Sequence, residues 1–86
     1  MSQLSQVKNQ VNQIATNITQ TAAALTAYAQ NLQTQIAAVN NAIGGTTSNE
    51  DKEMVAAMQV GMQSVKAAAL QLTQAATKAK DWVAKA

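Results

Sequence analysis

From Leu4 to Ile43 the chain runs without a glycine or a proline. Within that run Leu4, Val7, Val11, Ile14, Ile18, Thr21, Leu25, Tyr28, Leu32, Ile36, Val39 and Ile43 recur at steps of three and four. Such spacing lines one side of an α-helix, close to the a/d seam of a heptad repeat. At ~1.5 Å per residue the helix would be roughly 60 Å long. A chain of 86 residues has room for one more element of that size and little else. The architecture therefore turns on what ends the first helix.

Two of the three glycines stand together at Gly44 and Gly45. A glycine there can take the left-handed conformation that closes a helix C-terminus at least cost. "TTSNED" then opens a second helix, with Thr47 or Ser48 as N-cap and Glu50 or Asp51 three residues on as the reciprocal partner. Beyond it runs a second stripe, Val55, Met58, Met62, Val65, Ala69, Leu72, Ala76, Ala79 and Val83. Acids in its first turn and lysines near its end both complement the helix dipole. The expectation is one all-α domain over 1–86: helix 1 about 3–43, a turn at 44–48, and helix 2 about 49–84, folded into an antiparallel hairpin.

In such a hairpin, opposing positions have numbers that add to about 94, so Val39 meets Val55, Ile36 meets Met58, Leu32 meets Met62 and Leu25 meets Ala69. Farther along, Ile18 meets Ala76, Ile14 meets Ala79 and Val11 meets Val83. Large residues of helix 1 then face alanines of helix 2, which fills a tight seam evenly. Tyr28 reads as core, and Met54, Met58 and Met62, four apart, read as core or as an adaptable partner groove. Each helix also carries a further apolar row seven residues apart: Ala15, Ala22, Ala29, Ile36 and Ile43 on helix 1, and Met54, Gly61, Ala68, Ala75 and Trp82 on helix 2. A third apolar position per heptad marks a helix with more than one neighbour. Two hairpins pairing into a four-helix bundle would satisfy it.

Charge and residue chemistry exclude much. Residues 1–43 hold one charge, Lys8, and the formal net charge is only +2. No dense Lys/Arg face of a nucleic-acid binder is present. With no histidine and no cysteine, the usual nucleophile–base pairs and zinc ligands are missing, and "IGGTTS" lacks the spacing and lysine of a phosphate loop. Glu50, Asp51 and Glu53 read as helix-capping acids. No enzyme activity, cofactor or metal is expected. No apolar run approaches the ~18 residues of a membrane span. "MSQLSQVKNQ" also lacks the apolar core of a signal peptide, so any export is expected to use another route.

Function is expected in an association surface. Helix 2 turns Val60, Ala67 and Leu70 away from the seam, and Gly61 tolerates close approach of another helix at about 1 kcal/mol of helix propensity. The expected docking residues are Val60, Gly61, Ala67, Leu70 and Trp82, with Ala22 and Ala29 of helix 1 marking the rival flank. Trp82 reads either as an anchor in a partner or as a lid over Val7 and Val11.

Two long helices in under a hundred residues, a glycine-bearing reversal and no signal peptide together resemble the WXG-type, early-secreted-antigen-like proteins of bacterial type VII secretion. The resemblance covers the whole chain and is architectural. It implies a homodimer, or pairing with a related small helical protein or a larger secreted effector. It also implies a cytoplasmic stage before signal-peptide-independent export. The turn reads Ala42-Ile43-Gly44-Gly45, so of the family's Trp-x-Gly only the glycine matches, and Asp81-Trp82 does not reproduce its C-terminal Tyr-x-x-x-Asp/Glu. Two alternatives stand beside it: a self-assembling subunit of a filament or secretion needle, whose turns usually carry prolines absent here, and a cytosolic helical adaptor.

Overall fold

The computed structural model describes residues 3–44 and 48–86. Gly45 and Thr47, both expected in the turn, lie outside them. Two α-helices make up nearly all of the described chain: α1 (Gln3–Ile43) and α2 (Asn49–Lys85). At ~1.5 Å per residue they would span roughly 115 Å end to end. The molecule measures 67 × 16 × 14 Å, so the chain folds back and the helices lie side by side. The result is an antiparallel hairpin.

The reversal follows from its caps. Gly44 sits at φ +57, the left-handed region, and its N–H donates to the carbonyl of Asn40 at 3.2 Å. That bond closes α1 at a glycine in the left-handed region. Ser48 is the N-cap of α2, its backbone extended at φ −67 and ψ 146, and its Oγ accepts from the N–H of Asp51 at 3.2 Å. Of the two cap candidates in the sequence, Ser48 is the one seen in this role.

The seam differs from expectation on one helix. Its buried and half-buried positions on α1 are Lys8, Val11, Ala15, Ile18, Ala22, Leu25, Ala29, Leu32, Ile36, Val39 and Ile43. On α2 they are Asp51, Val55, Met58, Met62, Val65, Ala69, Leu72, Ala76, Ala79 and Val83. Both sets step strictly by three and four, and from Val11 with Val83 to Ile43 with Asp51 their numbers add to the expected 94. The correction is the row used on α1. Ile14 is 55% exposed and Tyr28 61%, whereas Ala15 is 0% and Ala29 1%. Ala15, not Ile14, thus stands at the level of Ala79, and Tyr28 is not a core residue.

The physical reason is volume. Alternating Ile18 against Ala76, Ala22 against Leu72, Leu25 against Ala69 and Ala29 against Val65 puts one small and one large side chain at each level. Two helices can then approach closely without voids or overpacking. Tyrosine in place of Ala29, opposite Val65, would force them apart; volume does not explain Ala15, whose level holds the small Ala79. Near the turn, Ile36 and Met62 join Ala29 as a buried cluster flanked by Leu32, Val55, Met58 and Val65. Met54, by contrast, is 43% exposed. Threonines flanking the seam bond within their own helix: Thr19, Thr26 and Thr73 donate to the carbonyls of Ala15, Ala22 and Ala69 at 3.0–3.1 Å. Their hydroxyls are thereby satisfied without a partner across the seam.

This core is thin. The accessible surface is 6168 Å², against about 4,900 Å² expected of a compact monomer of this 9.0 kDa mass. The radius of gyration is 19.4 Å, where a compact domain of this length would show about 12 Å. The hairpin leaves apolar surface that a globular fold of equal length would bury.

Candidate helix-docking face

Heptad lettering shows where that surface lies. With Ala15 and Met62 at a and Ile18 and Val65 at d, each helix presents an e row and a g row beside the seam. The e rows hold Asn12, Thr19, Thr26, Gln33 and Asn40 on α1, and Lys52, Gln59, Lys66, Thr73 and Lys80 on α2. These rows face each other along one side. Thr26 and Gln33 share a groove with Lys66 and Thr73, and Asn40 shares another with Lys52 and Gln59. The g rows therefore occupy the opposite side together. They hold Val7, Ile14, Thr21, Tyr28, Gln35 and Ala42 on α1, and Met54, Gly61, Ala68, Ala75 and Trp82 on α2.

The two sides differ in kind. The e side is polar and carries three lysines, while the g side carries no charge at all. Among the described residues eight large apolar side chains are exposed, and five of them, Val7, Ile14, Tyr28, Met54 and Trp82, belong to the g rows. Leu4, 49% exposed, continues the d row beside them. A scatter of single exposed apolar residues needs no explanation. Five gathered on one charge-free side of a narrow hairpin make that side the candidate docking surface.

The docking residues expected from sequence are only partly brought together. Gly61 and Trp82 lie in the g row of α2, Trp82 being 44% exposed. A Cβ built on Gly61 meets nothing within 4 Å, so nothing inside the hairpin requires a glycine there. Val60, 66% exposed, and Ala67 lie in the f row on the back of α2, where they line a shallow depression with Ala56. Leu70, 60% exposed, borders the polar groove between the helices with Thr73. One partner helix cannot cover Val60, Leu70 and Trp82 at once. Ala22 and Ala29, the rival flank, are buried in the seam at 4% and 1%.

Sequence reasoning missed Val7, Ile14 and Tyr28 as surface residues because it placed them in the seam or under Trp82. A signal was available: the row 7, 14, 21, 28 continues into Gln35, whereas 15, 22, 29 continues into Ile36 and Ile43.

Among the described residues, no three acidic, histidine or cysteine side chains gather where a metal ion would sit, and no helix is long and apolar enough to cross a membrane. Comparison with protein-family models, curated proteins and solved structures finds no match.

Proposed function

We propose that this chain is a non-enzymatic helical-hairpin protein that acts by helix–helix association, with itself or with a larger effector, in the manner of the small type VII secretion proteins its sequence resembles. The single observation that carries this reading is the charge-free g side. It concentrates Val7, Ile14, Tyr28, Met54 and Trp82 in the open, while the hairpin's own seam buries mostly alanine. Pairing of two such sides makes a four-helix bundle, the arrangement in which a wide apolar stripe on each helix is used. On this reading the protein is held in the cytoplasm before leaving the cell by a route independent of a signal peptide.

The filament or needle subunit is the second reading. Exposed Val60 and Leu70, away from the g side, favour it, because open-ended assembly needs a second lateral contact that a closed dimer does not.

Fractionation of the source organism tests the first reading. A tagged chain should reach the culture medium only while the type VII secretion ATPase is intact. Retention in the cell with the ATPase intact, or release without it, would overturn the export proposal. Sedimentation into polymers would replace it with the filament.

A further inference from the structure

We infer that the e side, between Lys66 and Lys80, holds an acidic helix of a partner protein. The inference rests on the reading that this chain works by helix association, and it names the chemistry of a partner other than a second copy.

Charge is the first argument. The α1 helix contains no aspartate or glutamate, so the row facing these lysines offers them no acid. On α2, no acid stands three or four positions to either side of Lys66 or Lys80. Those are the spacings at which a helix pairs its own charges. Lys78 and Lys85, in the c row, differ, because both have Asp81 at such a spacing. Near the turn, Asp51 lines the same groove as Lys52 and balances it. The unbalanced positive charge of the e side therefore lies at Lys66 and Lys80.

The groove is the second argument. Beside Lys66 it is walled by Thr26 and Gln33 of α1 and by Leu70 and Thr73 of α2. Thr26 and Thr73 donate their hydroxyls to the carbonyls of Ala22 and Ala69 in their own helices. The donors left to an incoming group are the Lys66 ammonium and amides such as that of Gln33, a set that suits a carboxylate. Lys66, Leu70, Thr73, Thr77 and Lys80 follow one another at steps of four and three. They form one strip along α2 on which a third helix can lie. The two lysines are two heptads apart, ~21 Å at ~1.5 Å per residue. A small anion reaches only one of them. A helix with carboxylates two heptads apart reaches both, and an apolar residue between those carboxylates covers Leu70, which is 60% exposed. The e side faces away from the g rows, so a copy bound there leaves it open.

The probe is a labelled, otherwise neutral helical peptide with two glutamates two heptads apart and a leucine between them. Fluorescence anisotropy reads its binding to the full chain at low salt. Wild type should bind it roughly tenfold more tightly than the same peptide with glutamines for glutamates, and high salt should erase the difference. Lys66→Gln and Lys80→Gln should each weaken binding by roughly threefold to fivefold, the strength of an exposed ion pair. Lys52→Gln and Lys78→Gln remove the same charge elsewhere and should leave binding unchanged. Circular dichroism should show equal helicity in all four, since glutamine and lysine have similar helix propensity. No preference for the acidic peptide, or an equal loss in all four variants, would overturn the inference. Binding to phosphatidylglycerol vesicles in preference to the peptide, weakened equally by all four, would assign the charge to a lipid surface and overturn it too. Light scattering separates this inference from the g-side reading. A chain that associates with itself but ignores the acidic peptide would sink the inference alone, and a monomer that binds the peptide through Lys66 and Lys80 would sink self-association alone.

Discussion

Replacing Gly61 with alanine should stabilise the single hairpin and weaken the pairing of two. Gly61 lies in the interior of α2, where a glycine is worth about 1 kcal/mol less than alanine. An added Cβ at this position meets nothing within 4 Å inside the hairpin. No steric penalty offsets the gain. With an unfolding entropy of about 2.1 cal/mol/K per residue, 1 kcal/mol corresponds to a rise of roughly 5 °C in the melting midpoint. In a pair formed through the g side the same methyl enters the contact, and overpacking there typically costs about 1–3 kcal/mol. Circular dichroism melts at a concentration low enough to hold the protein monomeric should show the higher midpoint. Sedimentation at higher concentration should show weaker association. A lower midpoint for the monomer would refute the reasoning, because it would mean that the space beside Gly61 is not open.

Gly44→Ala forces a side chain into φ +57 and should cost about 1–2 kcal/mol in chemical denaturation, with no change in helix packing by NMR. Ser48→Ala removes the bond to the Asp51 N–H and should cost about 1 kcal/mol, read as fraying of the start of α2 in hydrogen exchange. Ala22→Leu sets two large residues opposite each other at the level of Leu72. It should destabilise the hairpin by about 1–3 kcal/mol in urea titrations, whereas the same change at the exposed Ala24 should leave stability nearly unaltered.

The hairpin itself was legible because every local signal agreed: an unbroken stripe, a glycine fit for φ above zero, a serine cap and acids in the following turn. The row of α1 that forms the seam was harder to read. Two stripes share Val11, Ile18, Leu25 and Leu32 and differ in whether Val7, Ile14, Thr21 and Tyr28 or Lys8, Ala15, Ala22 and Ala29 complete them. Hydrophobicity alone favours the larger set. Packing favours Ala22 and Ala29, because the side chains opposite them, Leu72 and Val65, already fill the level. The consecutive four-residue steps from Tyr28 to Leu32 to Ile36 mark where the larger stripe leaves its row. The docking residues named from sequence fall on different rows for the same reason. With Ala22 and Ala29 counted as the flank of α1, Val7, Ile14 and Tyr28 were left in the seam. Val60 and Leu70 lie apart from the side that Gly61 and Trp82 share with them.

Trp82 gives the most direct reading of that face. It is the only tryptophan of the chain, lies in the g row of α2 and is 44% exposed in the single hairpin. In a pair formed through the g side it is covered by the other copy and loses its water. Its fluorescence should be blue-shifted at high micromolar concentration, move to the red on dilution, and stay red at every concentration in Ala68→Glu. Emission that is independent of concentration in the wild type, and the same in Ala68→Glu, would contradict the claim that the g side is where this protein meets its partner copy.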